Sequence, residues 1–178
     1  MSNLELLNAS CADICSDAIV NAANKWLRAG GGICGVIFRK AGQRELADAC
    51  SKYKTPLADG DAVITPAFGL ATAKSIIHAV GPNFEITPDA FDALFMAYYN
   101  SLCVLKENGL HSISFPLISS GIFGGSLAEP AKESARQCYL AYEKFVEDYP
   151  DYQIFVRLCA FRTDEMSQAQ DALDELRS

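Results

Sequence analysis

Short apolar runs alternate along the chain with longer segments in which apolar residues recur at helical spacing. The short, β-branched runs predict strands at residues 4–7, 18–21, 61–66, 75–80, 111–117 and 153–161. The periodic segments predict helices from about residue 33, over 43–52 and 88–106, around 135–146 with Ser126 as N-cap, and over 164–177. This alternation predicts an α/β fold with three α/β/α layers, in which helices cover both faces of a central mixed, mostly parallel sheet.

Two glycine-bearing loops each follow a predicted strand and lead into a helical segment. The first contains Asn24 and then Gly30, Gly31, Gly32, Ile33, Cys34 and Gly35, and the second contains Ser119, Ser120, Gly121, Ile122, Phe123 and Gly124. Residues with little or no side chain let unpaired backbone N–H groups converge on an anion. Both loops lie where ligands of α/β proteins bind, beyond the carboxyl ends of strands. Neither loop has the spacing of a dinucleotide-binding fingerprint or of a P-loop.

The composition predicts one acidic globular domain that spans residues 1–178. Half of the residues are hydrophobic, which argues against disorder. The formal net charge is −7, so the chain lacks the basic surface of a general nucleic-acid binder, and we expect no nucleic-acid partner. A phosphate compound would therefore be held by backbone dipoles in a pocket.

Cysteine and targeting patterns predict a cytoplasmic protein. The seven cysteines include no Cys-x-x-Cys pair, and only His78 and His111 accompany them, so we expect no disulfide framework, no metal and no cofactor. No apolar run approaches the ~20 residues that span a bilayer, and the amino terminus lacks the basic and apolar regions of a signal peptide. We therefore expect no membrane partner.

Five motifs resemble those of the macro domain family, whose members are ADP-ribose-binding α/β/α modules. They are Asp13-Ile14 with residues 18–24, then 30–35, 75–82, 118–124 and 158–161, in this order along nearly the whole chain. The resemblance implies a monomeric macro domain with a mixed, mostly parallel sheet. It also implies that the partner is ADP-ribose or a mono-ADP-ribosylated protein.

The resemblance implies a role for each candidate residue. Asp13, with the N–H of Ile14, would bind the adenine amine, and Phe161 would pack on the adenine side. The N–H groups of residues 31–35 and of the second loop would hold the diphosphate. Phe123 would cover the distal ribose, and Asn24 would hydrogen-bond its hydroxyls. From the residues alone, Asp13 also fits a solvated turn and Phe161 also fits a core aromatic at a strand end.

One position departs from the MacroD-type hydrolases of the family. Cys34 stands where those enzymes carry an aspartate, and an un-ionised thiol is a poor substitute for a carboxylate that activates or orients water. Two roles stay open for Cys34: a space-filling residue beneath the phosphate loop, or a reactive thiol whose pKa is lowered by a helix N-terminus. Trp26 fits either a shield over the pocket or a surface position, and His78 fits a structural role better than a catalytic one.

The sequence predicts an ADP-ribose-binding domain that removes mono-ADP-ribose from aspartate or glutamate side chains. Viral macro domains that lack the aspartate also resemble the chain, and that class performs this reaction. Asn24 would then be catalytic by fixing the distal ribose, while a catalytic role for Cys34 is doubtful. Two alternatives remain: a non-catalytic reader of ADP-ribosylated proteins, and an enzyme for free ADP-ribose derivatives such as the 1″-phosphate or the O-acetyl ester.

Overall fold

A computed structural model describes residues 1–178 as six strands and five α-helices. The strands are β1 (Asn3–Leu7), β2 (Ala18–Ala23), β3 (Ala62–Pro66), β4 (Ser75–Val80), β5 (Ser112–Pro116) and β6 (Phe155–Cys159). The helices are α1 (Gly32–Ala41), α2 (Gln43–Cys50), α3 (Phe91–Glu107), α4 (Pro130–Asp148) and α5 (Thr163–Arg177). Single turns of 3₁₀ helix occur at Cys11–Asp13 and Ile122–Gly124. None of the helices combines the length and apolar character required to cross a membrane.

The strands form one sheet in the order β1-β6-β5-β2-β4-β3. Neighbours from β1 to β4 are parallel, and only the edge strand β3 is antiparallel. The expected mixed, mostly parallel sheet is therefore confirmed. Because β2, β5, β6 and β4 point the same way, the loops that follow them emerge at one edge of the sheet.

Apolar side chains of the strands alternate between the two faces of the sheet. On each face they are buried against a layer of helices. In β2, Ile19 packs with residues of α1 and α2, whereas Val20 packs with residues of α3, α4 and α5. Ile76 and Ile77 of β4 divide in the same way. This period of two, continued along neighbouring strands, produces the three predicted α/β/α layers.

The segment after the second glycine loop differs from its prediction. Helix α4 begins at Pro130, with Glu129 as N-cap, so the prediction that Ser126 caps this helix is wrong. Gly125 adopts φ +55°, and a Cβ there would lie 2.4 Å from the backbone nitrogen of Glu85. The chain is therefore held against residues 84–85 before it can turn into the helix, a tertiary constraint that local capping preferences do not reveal.

Asp17 ties together the starts of three parallel strands. Its carboxylate accepts hydrogen bonds from the backbone N–H groups of His111 (3.0 Å) and Ser112 (3.1 Å), at the start of β5. Its carbonyl oxygen accepts the N–H of Ser75 in β4, at 3.2 Å. Burial acts to raise the pKa of Asp17, but the hydrogen bonds from His111 and Ser112 outweigh it, and the pKa is lowered.

We expect Asp17→Asn to destabilise the fold by about 1–3 kcal/mol at neutral pH, because hydrogen bonds to a charged acceptor are weakened or lost. Since the folded-state pKa lies below the unfolded value, this contribution is fully present above about pH 4 and is lost as pH falls through the folded pKa. Denaturant unfolding should show a lower free energy of unfolding for the variant than for the wild type, and this difference should become smaller in acid. Asp151→Asn, at an exposed carboxylate, is the control, and an equal loss there would contradict the role of Asp17.

Candidate functional site

The first glycine loop presents a row of free backbone donors. It connects the end of β2 to the first turn of α1, which begins at Gly32. The N–H groups of residues 29–34 donate to no acceptor within the chain. A Cβ at Gly31 or Gly32 would meet no atom within 4 Å, so this backbone faces open space. A ligand can therefore approach both the free N–H groups and the positive end of the α1 dipole.

The second glycine loop presents a similar row after β5. The N–H groups of residues 119–123 also lack an acceptor within the chain. Ser119 adopts φ +59°, and its Oγ donates to the carbonyl oxygen of Pro82 at 2.7 Å. Gly121 faces open space on its Cβ side. The α4 helix begins too late to contribute its N-terminus, so the anion-binding potential here comes from the loop backbone itself.

The segment after β4 packs against the second loop and hydrogen-bonds to it. A Cβ at Gly81 would lie 2.4 Å from both Ile118 Cγ2 and Ser119 Oγ, so only glycine permits this close approach. Two residues after Pro82, the N–H of Phe84 donates to the carbonyl oxygen of Phe123 at 2.8 Å. The predicted strand and turn at 75–82 thus support the second glycine loop.

The two rows of free donors lie side by side. β2 and β5 are parallel neighbours, paired at Ala18–Ile113 and Ile19–Ser114, so the loops that follow them emerge next to each other at the same edge of the sheet. Six consecutive N–H groups at 29–34 and five at 119–123 therefore border one site. Backbone donors that have no internal acceptor require water or a ligand, and paired rows suit an anion with more than one phosphate. The chain's net charge of −7 makes these dipoles the natural source of attraction.

Asn24 organises the entry to the first loop. Its Oδ1 accepts the N–H groups of Trp26 and Arg28, each at 3.1 Å, and its Nδ2 donates to the Arg28 carbonyl at 2.8 Å. One Nδ2 hydrogen remains without an acceptor, close to the Gly30 position. Leu27, between the bonded residues, is buried with φ +55°. Asn24 therefore fixes the loop and keeps one donor for a ligand.

Trp26 and Arg28 occupy the surface of this loop. Trp26 is half-exposed, and the guanidinium of Arg28 lies 5.6 Å from the centroid of its ring. Arg28 has no carboxylate partner, whereas Lys25 pairs with Asp59. This half-exposed position is compatible with both roles predicted for Trp26, a shield over the pocket and a surface residue.

The structure places the predicted adenine residues at the ends of neighbouring elements. Asp13 is exposed at the end of the first 3₁₀ turn, and Lys40 approaches its carboxylate at 3.7 Å. An exposed ion pair of this length is worth little, so it leaves Asp13 free to accept another donor. The N–H of Ile14 makes a long 3.4 Å bond to the Cys11 carbonyl. Both groups can therefore reorient toward a base.

The candidate aromatic residues lie on the surface. Phe161 follows β6 and is 74% exposed, so its alternative interpretation as a core aromatic is wrong. Phe123 is 37% exposed and Ile122 is 93% exposed at the tip of the second loop. These apolar groups face solvent at the edge where the strands end, which is a surface that a bound base or sugar can cover.

Cys34 is a buried residue in the first turn of α1. It is 5% exposed, and its Sγ lies 3.7 Å from the Arg28 carbonyl oxygen as a weak donor. Burial raises the pKa of Cys34 above its usual value, despite contacts with Asn21 and the Gly30 backbone that act in the opposite direction. The hypothesis of a reactive, low-pKa thiol is therefore wrong, and the space-filling role agrees with the structure.

His78 is fully buried and hydrogen-bonded on both ring nitrogens. Asn21 Nδ2 approaches Nδ1 at 3.1 Å, and Thr65 Oγ1 lies 2.9 Å from Nε2. Burial lowers the pKa of His78 to about 4, so the neutral ring accepts from Asn21 and donates to Thr65. The predicted structural role of His78 is confirmed, because the ring is fully buried and both of its nitrogens have hydrogen-bond partners within the sheet.

Two residues that support the second loop were not identified from the sequence. Tyr98 follows the apolar pattern of helix α3, and Ser134 lies in α4, yet both hydroxyl groups contact the backbone of Ile118 at the base of the second loop. Their partners are 20 and 16 residues away along the chain. No local pattern reveals such contacts, because tertiary packing alone brings them together.

Comparison with known proteins identifies similar sequences and structures. A family model described as Macro domain matches residues 20–135. An O-acetyl-ADP-ribose deacetylase of Salmonella typhimurium is 40% identical over 139 residues, which cover 76% of this chain and 76% of the relative. The Oceanobacillus iheyensis macrodomain with ADP has a TM-score of 0.88 at 32% identity, covering 99% of this chain and 92% of that chain. The Trypanosoma brucei macrodomain in complex with ADP-ribose has a TM-score of 0.81 at 28% identity, covering 96% of this chain and 68% of that chain.

We expect Cys34 to resist alkylation in the folded protein, because it is buried and its raised pKa keeps it un-ionised at neutral pH. Brief treatment with iodoacetamide followed by peptide mass spectrometry should label the exposed Cys15 first. Unfolded protein, in which all seven cysteines should react, provides the control. Labelling of Cys34 as fast as that of Cys15 would restore the reactive-thiol hypothesis.

Proposed function

The chain belongs to the macro domain family, and on this premise we propose that it binds ADP-ribose and removes mono-ADP-ribose from acidic side chains of modified proteins. One observation carries the proposal: two adjacent loops present consecutive backbone N–H groups without internal acceptors. The named neighbours with ADP and ADP-ribose support the choice of ligand.

We assign all 178 residues to this one domain, beyond the matched segment 20–135. At the amino terminus, β1 completes the sheet by pairing with β6. At the other end, Leu173 of α5 is buried in the same core as the strands, and Arg177 donates to the Leu4 carbonyl at 2.9 Å.

The proposed binding mode divides ADP-ribose among the parts of the site. The N–H groups of 31–34 and 119–123 hold the diphosphate, where fixed dipoles need no reorganisation to meet the charge. The sequence prediction also included Gly35 and Gly124, but their N–H groups donate to the carbonyls of Gly31 and Gly121. Asp13 and Phe161 hold the adenine. Asn24, through its remaining Nδ2 hydrogen, and Phe123 contact the distal ribose. This arrangement agrees with the positions of these residues at one edge of the sheet.

The chemistry of the site favours an ester linkage. A water oxygen attacks the anomeric carbon of the distal ribose, the bond from that carbon to the ester oxygen breaks, and the aspartate or glutamate carboxylate leaves with the bonding electrons. The water proton passes to solvent. A carboxylate leaves unprotonated at neutral pH, so no general acid is required. This suits a site in which burial raises the pKa of Cys34 and His78 is fully buried.

Hydrolysis of the free O-acetyl ester of ADP-ribose is a second candidate, supported by the relative named O-acetyl-ADP-ribose deacetylase. The same anchors would hold adenine, diphosphate and distal ribose in either substrate. A non-catalytic reader would use these anchors without turnover.

We also propose that the protein acts as a cytoplasmic monomer. All seven cysteines are free in the fold, which suits a reducing compartment. The acidic surface gives no support to a nucleic-acid partner.

We expect Gly121→Glu to abolish ADP-ribose binding, because a carboxylate would enter the phosphate cradle. A Cβ at this position would meet no atom within 4 Å, so there is room for the new side chain. Calorimetry should give 1:1 binding for the wild type and no heat for the variant, with AMP weaker than ADP-ribose. Gly121→Ala is the matched control and should retain most of the affinity. Binding by Gly121→Glu at wild-type strength would remove the second loop from the phosphate site.

We expect the wild type to release label from an auto-ADP-ribosylated, glutamate-linked protein and Asn24→Ala to do so roughly 100-fold more slowly. Affinity for ADP-ribose should fall less than turnover does, because Asp13, Phe161 and the second loop remain as anchors, although the first loop loses the three hydrogen bonds of Asn24. Asn108→Ala, at an exposed amide at the end of α3, is the control. Tight binding without release by the wild type would select the reader, and release from O-acetyl-ADP-ribose alone would select the second candidate. Equal losses of binding and turnover would make Asn24 a binding residue only.

A further inference from the structure

A closed ring of hydrogen bonds holds the base of the second loop. The N–H of Ile118 donates to the Tyr98 hydroxyl at 3.0 Å, and Ser134 Oγ donates to the Ile118 carbonyl at 2.6 Å. The two hydroxyl oxygens are 2.6 Å apart. Because the Ser134 proton goes to the Ile118 carbonyl, the Tyr98 proton is available to Ser134 Oγ, with the Pro116 carbonyl oxygen at 3.2 Å as its other acceptor. The ring thus begins and ends on the backbone of Ile118. Each hydroxyl proton in it has an acceptor.

The ring is sealed from solvent between two helices. Tyr98 on α3, Ser134 on α4 and Ile118 are all buried. Burial raises the pKa of Tyr98 well above its usual value, so its hydroxyl keeps the proton that the ring requires. A carbonyl or N–H of Ile118 that lost its partner here would have no water to replace it, which makes any other loop conformation costly.

The ring lies immediately before the strained part of the loop. Ser119 follows Ile118 with φ +59°, a conformation that a serine rarely adopts without support. The free N–H groups of 119–123 begin at this same residue. The backbone direction at Ile118 therefore sets the direction from which these donors continue.

We propose that Tyr98 and Ser134 are positioning residues for the phosphate site: by holding both backbone polar groups of Ile118, they set the direction of the N–H donors at 119–123. Neither side chain touches the ligand. This inference rests on the proposed function, in which those donors bind the diphosphate of ADP-ribose.

Tyr98→Phe and Ser134→Ala test the inference, because each removes one hydroxyl of the ring. Each variant should weaken ADP-ribose binding about tenfold. Binding of adenosine, which lacks the diphosphate and is followed by NMR, should stay unchanged within about twofold. The double variant should lose little more affinity for ADP-ribose than either single variant, since breaking the ring at one point already releases Ile118. If Tyr98→Phe fails to fold, Ser134→Ala provides the same comparison.

Ser101→Ala is the matched control for loss of a buried hydroxyl. Ser101 also lies on α3, and its Oγ donates to the Ala97 carbonyl at 2.6 Å without touching the loop. The control should bind both ligands like the wild type. A general loss of stability would affect the three variants alike, whereas a positioning role separates Ser101→Ala from the other two.

NMR of the ligand-free proteins tests the same inference independently of any ligand. Amide order parameters at 119–123 should fall from about 0.85 toward 0.6 in Tyr98→Phe and Ser134→Ala, and should stay high in Ser101→Ala. If the wild type does not bind ADP-ribose, the proposed function fails while these amides still report on the ring. Unchanged loop amides in both ring variants, or unchanged affinity where the wild type binds, would overturn the inference.

Discussion

The site depends on backbone N–H groups that have no acceptor within the chain. A fold pairs most of its backbone donors internally, and here eleven, six at 29–34 and five at 119–123, are left without an internal acceptor at one edge of the sheet, most of them on exposed residues. Parallel pairing of β2 with β5 makes this possible, because it starts both loops beside each other. In an acidic chain, these dipoles provide an attraction for phosphate that does not require a basic surface.

The rest of the structure keeps these donors in place. Leu27 and Ser119 adopt left-handed conformations, which persist only where neighbouring contacts hold them. Asn24 secures the first loop with three hydrogen bonds, and the close approach at Gly81 secures the second. Preorganisation of this kind concentrates the cost of ordering in folding, so it does not weaken ligand binding. Each loop of the site therefore contains one residue in a strained backbone conformation and has contacts that hold it there.

Local patterns predicted the fold and the two loops, because alternating burial and runs of glycine are properties of neighbouring residues. The same patterns failed where distant contacts decide. Ser126 does not cap α4, since Gly125 is held against Glu85. Cys34 is buried and un-ionised, although its place at a helix N-terminus also suited a reactive thiol. The hydroxyl of Tyr98 was hidden within an apolar helical pattern. The ligand roles of the site residues remain predictions.

A titration of ¹⁵N-labelled protein with ADP-ribose, followed by amide NMR, tests the central claim most directly. It reports on each backbone N–H separately, which calorimetry does not. The account predicts saturation at one ligand per chain, with the largest shift changes at the amides of 29–34 and 119–123. Smaller changes should follow at Asp13, Ile14 and Phe161. Shifts that cluster elsewhere, or none at millimolar ADP-ribose, would contradict the account.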